Sequence, residues 1–290
     1  MKKLLVVLLA AMMVLSIAAV SMAAATVEGD WRAEWVQDDS KEAEGKDDLH
    51  FNKYDLRFNI KGQVSDTVDT ALQIAYDSSK ENVQVKEYKV NFNQSWGKLT
   101  AGSWDHKLFP SRVLLKPHGD NKVRDDDMQF VFDIPVDAFT FGLFVDPDLR
   151  DDEMNYDLKF AYNADSFGVE LHYGEQDPKV EESTYIAFDA YYNIDPIKVF
   201  LYGIQADDGY DGKWIDDKGE YVDLVPVLGA QYKSGPVTTS FEYTLEKNGD
   251  YNPYGLKFAY GFTNKVTLEV EYTNVNEDDN KIVIRPRVKF

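Results

Sequence analysis

The charged residues of this chain recur at every second position. In the closing stretch KIVIRPRVKF, Lys281, Arg285, Arg287 and Lys289 alternate with Ile282, Ile284, Pro286, Val288 and Phe290, and Val283 is the one exception. Near the start, Glu28, Asp30, Arg32 and Glu34 alternate with Val27, Trp31, Ala33 and Trp35. Arg57 and Lys89 occupy the same kind of position in KYDLRFNIK and EYKVNFNQSW. Strand side chains alternate with period two, so these stretches present a charged face backed by an apolar one. Charges fixed in rows orient and sort ions and dipolar solutes; they do not make bonds. Bond-making chemistry has little footing: His50, His106, His118 and His172 are scattered without metal-ligand spacing. With 0 Cys there is no thiolate ligand or cysteine nucleophile, and neither G-x-S-x-G nor a glycine-rich phosphate loop occurs.

The elements that carry these charges are strands throughout. The period-two pattern gives five strands up to KLTAGSW, then MQFVFDI, FTFGLFV, YDLKFAY, FGVELHY, IAFDAYYNI, IKVFLYGI, LVPVLGAQY, VTTSFEYTL, YGLKFAY and VTLEVEY, then the closing stretch. That makes about sixteen, with fourteen or eighteen as alternatives, since one hairpin miscounted changes the total by two. IKVFLYGI has two apolar faces, and Pro226 interrupts LVPVLGAQY. Short turns such as NADS, NIDP and KSGP alternate with longer acidic connections such as GEQDPKVEES, as up-and-down strands require.

The N-terminus, MKKLLVVLLAAMMVLSIAAVSMAAA, has a basic start, an apolar run and a small-residue end, the layout of a secretory signal peptide over 1–25. Residues 26–290 then read as one domain, with no linker or composition shift. A formal charge of −20 lacks the basic footprint of a nucleic-acid partner. No later run approaches the roughly 18 consecutive apolar residues of a membrane helix, but barrel strands average out to polar.

Tyrosines edge the apolar face at both strand ends. Tyr54, Tyr76, Tyr88, Tyr156, Tyr173, Tyr243, Tyr254 and Tyr272 lie toward the long connections, and Trp96, Tyr162, Tyr192, Tyr232, Tyr260 and Phe290 toward the short turns. Aromatics at both rims of an apolar band are the girdles of a transmembrane β-barrel, which must close because an open edge cannot exist in lipid. With its signal peptide, even strand count, alternating turns and terminal aromatic, the chain resembles the outer-membrane porins of Gram-negative bacteria, of the sixteen-stranded diffusion type. The resemblance implies an all-β, up-and-down antiparallel barrel in the outer membrane. It also implies passive passage of small hydrophilic solutes and ions, a homotrimer in outer-membrane lipid, and a terminal Phe290 read by the barrel-assembly machinery.

In such porins the third long loop folds into the pore. Here that loop is DHKLFPSRVLLKPHGDNKVRDDD, with Leu108, Phe109, Val113, Leu114 and Leu115 suited to packing on the wall and Lys107, Arg112, Lys116, His118, Lys122 and Arg124 at a constriction. Closure brings Arg32, Arg57, Lys89, Arg285 and Arg287 together as a basic wall, while Glu170, Asp189, Glu242, Glu269 and Glu271 are expected along the far arc. Two walls of opposite sign set a transverse field. In the general porins the inserted loop is mainly acidic and here it is mixed, so the sign of selectivity stays open, with a lean toward anions and small neutral solutes. No cofactor or metal is expected beyond Ca²⁺ at acidic runs such as Asp125, Asp126 and Asp127. Alternatives are a substrate-specific anion or oligosaccharide channel, an enzyme barrel resembling outer-membrane phospholipases, which needs a Ser–His pair on the outer surface whereas His172 of FGVELHY points inward, and a secreted carbohydrate-binding β protein.

Overall fold

A computed structural model describes residues 24–38, 48–78, 81–104, 108, 114, 128–148, 153–175, 184–206, 224–245, 252–276 and 279–290. The chain rises and falls through β1 (Ala24–Asp38), β2 (His50–Ser65), β3 (Val68–Asp77), β4 (Asn82–Gln94) and β5 (Gly97–Ser103). After the third long connection come β6 (Gln129–Val136), β7 (Phe139–Asp148), β8 (Glu153–Asn163), β9 (Phe167–Glu175) and β10 (Thr184–Ile194). The circuit is completed by β11 (Ile197–Ala206), β12 (Leu224–Ser234), β13 (Val237–Thr244), β14 (Tyr254–Gly261), β15 (Val266–Asn276) and β16 (Asp279–Lys289). Every strand pairs antiparallel with its sequence neighbours, and β16 pairs with β1, so the described residues form a closed barrel of sixteen strands. Closure satisfies the backbone of every strand without an edge, which is what lets a sheet span lipid.

Two-residue turns at 66–67, 95–96, 137–138, 195–196 and 235–236 lie on one rim. Gly235 adopts a φ of 54° there, a left-handed conformation that glycine enters without steric cost. The strand ends on the opposite rim are those that precede and follow residues 39–49, 104–128 and 207–223. Aromatic rings band both rims. Tyr54 and Tyr76, and Tyr254 and Tyr272, pack with centroids 5.8 Å apart toward the long connections. Phe139 and Tyr162 pack at 4.9 Å toward the turns, where Trp96, Tyr192 and Tyr232 stand exposed. The apolar residues between them face outward in large number and are exposed to the surroundings, the reverse of a sandwich that buries its apolar face.

Alternation sends the charged positions inward. On β16 the exception, Val283, also points inward, where it lies directly opposite Val36 of β1; both are buried. On β11 the apolar residues of both faces find apolar surroundings. Ile197, Val199 and Leu201 face outward, while Phe200 and Tyr202 face the lumen and are buried there. Pro226 sits near the loop end of β12 opposite Gly203.

Candidate pore lining

Something must cover the inward apolar residues, and Leu108 and Leu114 of the third long connection do. Leu108 and Leu114 are buried at 4 % and 1 % exposure in a cluster with Phe144 of β7, Tyr185 and Ala187 of β10, Phe200 and Tyr202 of β11, and Val225 and Val227 of β12. These wall residues all point into the lumen, so Leu108 and Leu114 lie inside the barrel. Burying two leucines this completely contributes on the order of 3–6 kcal/mol to holding them there. A polar latch adds to the grip. The Leu114 backbone N–H donates to Glu242 Oε2 at 2.9 Å, and the Tyr202 hydroxyl donates to the same oxygen at 2.7 Å. Gly229 stands between their strands without a side chain, and the Phe200 ring lies across it.

In a ring of sixteen, β15 lies eight places from β7 and β4 eight places from β12, so the wall facing Leu108 and Leu114 runs from β15 through β16, β1 and β2 to β4. Its inner face is a charge checkerboard. Across β1 and β2, Glu34 faces Lys53, Arg32 faces Asp55 and Asp30 faces Arg57; across β1 and β16, Asp38 faces Lys281. Opposite charges at directly opposed positions stabilise a pair of strands, and like charges oppose it. The like pair, Arg32 facing Arg287, is bridged by Asp30. Arg32 donates from Nε and Nη2 to Asp30 Oδ2 at 2.8 and 2.6 Å, and Arg287 reaches both oxygens of the same carboxylate at 2.7 and 2.6 Å.

Each expected wall cation is therefore paired with a carboxylate, Arg32 and Arg287 sharing that of Asp30. Arg57 donates to Asp55 at 2.9 Å, and Lys89 pairs with Glu87 at 3.1 Å while lying 5.0 Å from the Trp104 ring centre. Arg285 donates to Glu34 at 2.8 Å and to Glu269 and Glu271 at 3.2 Å each. The structure thus brings the five expected cations onto one arc, but interleaves them with acids instead of leaving a wall of one sign.

The five expected acids do not form one arc. Glu269 and Glu271 stand beside Arg285 on β15, next to the basic residues and not across from them, because β15 is the sequence neighbour of β16. Glu170 and Asp189 are directly opposed on β9 and β10. Glu242, at 1 % exposure, lies beneath the loop instead of lining the passage. His172 is also buried in the wall, with Nδ1 2.7 Å from Asp157 and Nε2 2.8 Å from Glu170. Both ring nitrogens are thereby committed to carboxylates. Lys107, Arg112, Lys116, His118, Lys122 and Arg124, and the acidic run 125–127, lie outside the described residues. Among the described residues no group of three or more His, Asp or Glu is arranged to hold a metal ion. Sequence reasoning missed the seat of the loop: Phe144, Tyr185, Tyr202, Val225 and Val227. The signal for part of it was the second apolar face of β11.

A closed sixteen-stranded barrel with a ring-edged apolar exterior, a charged interior and two leucines of its third long connection seated in its bore is a channel-forming outer-membrane protein. Residues 8–280 match the family of the Gram-negative porins, and the chain belongs to that family. It is a channel for passive diffusion across the outer membrane, not an enzyme. The fold is similar to solved structures of substituted forms of the porin of Rhodopseudomonas blastica. A triple mutant superposes with a TM-score of 0.71 at 14 % identity, covering 92 % of this chain and 100 % of the other. A second mutant form gives 0.72 at 12 % identity with the same coverage. No curated protein matches the chain in sequence.

Proposed function

We propose that solutes pass between the seated third loop and the charged arc of β16, β1 and β2, and that Arg32, Arg57, Arg285 and Arg287 set the field there together with Asp30, Glu34, Glu269 and Glu271. The observation that carries this is the placement of Leu108 and Leu114 on the wall of β7 and β10–β12, which leaves the opposite arc free to line the bore. Lys89 extends that arc toward β4, and the basic residues of the loop, Lys107, Arg112, Lys116, His118, Lys122 and Arg124, narrow the passage from the other side. Charges interleaved at this density favour small hydrophilic solutes over apolar ones and give weak ion selectivity, because the guanidiniums are matched by carboxylates.

In this reading, residues 1–25 are removed on export; β1 begins at Ala24, so cleavage after Ala25 trims only the rungs that Ala24 and Ala25 make with Gln63 and Gly62. The barrel then inserts in the outer membrane with Phe290 as its assembly signal, and three copies associate. Ca²⁺ at the acidic connections is a further part of the proposal. The test is the reversal potential of the purified protein in a planar bilayer under a salt gradient. Arg57→Gln and Arg285→Gln should each move it toward cation preference; no movement in either would remove these residues from the conducting path.

A further inference from the structure

The arc holds a recess of about 140 Å³ between β16, β1 and β2, lined by Arg32, Glu34, Lys53, Asp55, Arg57 and Arg285. Four cations and two carboxylates line it, while the further partners of Arg32 and Arg285, namely Asp30, Glu269 and Glu271, stand outside the lining. Two of the cations also have donors to spare among the described residues. Lys53 faces Glu34 in register and acts on it electrostatically, but donates no hydrogen bond among the described residues. Arg57 spends one nitrogen on Asp55, and its Nε is buried with no acceptor. Lys53 Nζ and Arg57 Nη1 are the donors left to offer an incoming acceptor.

We infer that this recess is a saturable site for a small oxyanion, a carboxylate or phosphate group, on the way through the pore. The inference rests on the reading that the charged arc lines the passage. The chemistry fits: guanidinium donors match the paired oxygens of carboxylate and phosphate, and an ammonium adds a point charge. The size fits too. With water taking about 30 Å³ in the liquid, the recess holds a few waters or one small oxyanion in their place. Glu34 and Asp55 keep the site from becoming a trap, since repulsion from them speeds release, and a channel needs binding weak enough to let go.

The test is single-channel current in planar bilayers, in potassium chloride at fixed ionic strength, as inorganic phosphate is titrated in. A parallel titration with acetate distinguishes phosphate from carboxylate as the preferred oxyanion. In the wild-type protein the chloride current should fall along a saturating curve, and Lys53→Met and Arg57→Gln should each weaken the half-saturation concentration by about tenfold or more. Lys61→Gln, remote from the recess and paired with Glu28, should leave the curve in place. Calorimetric titration of the detergent-solubilised protein with phosphate gives the same comparison without current. A fall that never saturates with either anion, or saturation unchanged in both recess variants, overturns the site. If the variants shift reversal potential yet no saturation is seen, only the site falls; if they also leave the reversal potential in place, the conducting-arc reading falls with it.

Discussion

Gly29 and Phe290 exchange two backbone hydrogen bonds, Gly29 N–H to Phe290 O at 2.8 Å and Phe290 N–H to Gly29 O at 3.0 Å, and the Phe290 ring lies where a side chain on residue 29 would be. Phe58, the β2 partner of Gly29, meets that ring edge-on at 6.4 Å. The seam between last and first strand is thus closed by backbone bonds and covered by an aromatic laid over a glycine, a device that also fixes register.

Gly29→Ala should displace that ring, because its Cβ would collide with the Phe290 ring carbons. Overpacking of this kind costs about 1–3 kcal/mol. Urea unfolding in lipid vesicles should show the midpoint fall by a corresponding amount. An unchanged midpoint would mean that the ring moves aside freely and that the seam relies on its hydrogen bonds alone.

Asp30→Asn should leave Arg32 and Arg287 facing each other without the carboxylate that now accepts from both. Weaker charge-assisted bonds cost about 2 kcal/mol in stability, and the lost negative charge shifts reversal potential toward anions. Stability and permeability should change together. A shift in neither would show that the two guanidiniums are held apart by other means.

Glu242→Ala should release the Leu114 N–H and the Tyr202 hydroxyl from their common acceptor. The third loop then keeps its leucine packing but loses its latch, so open-channel noise and mean conductance should rise. Glu242→Gln retains an amide oxygen in the same place and should restore quiet current. Equal noise in both variants would assign the role to the charge of Glu242 and not to the two hydrogen bonds.

The barrel was legible because lipid outside and water inside impose period two on every strand, and the girdle tyrosines mark where each strand meets a rim. The ambiguous strand, IKVFLYGI, is ambiguous for a physical reason. Its lumen face is covered by Leu108 and Leu114, so Phe200 and Tyr202 see apolar surroundings on the side where other strands see water. Val283 breaks the alternation of β16 for a related reason, since it pairs inward with Val36. The arrangement of charge was less legible. Sequence shows which residues point inward but not which are neighbours across a strand pair, so Asp30 could not be seen to bridge two arginines from different strands. Nor could Glu242 be distinguished from a lumen charge, because its partner Leu114 lies 128 residues away.

The placement of the third loop is the point on which the pore reading turns, and the absence of native cysteine makes it directly measurable, with 0 Cys in the chain. Cysteine introduced at Arg57, on the arc facing the loop, and at Ala187, at 0 % exposure beneath it, can each be exposed to a charged thiol reagent during current recording. The predicted result is a stepwise loss of current for Arg57→Cys and no response for Ala187→Cys. Equal modification at both sites, or block through Ala187→Cys alone, would place the passage on the other side of the loop and contradict the arrangement described.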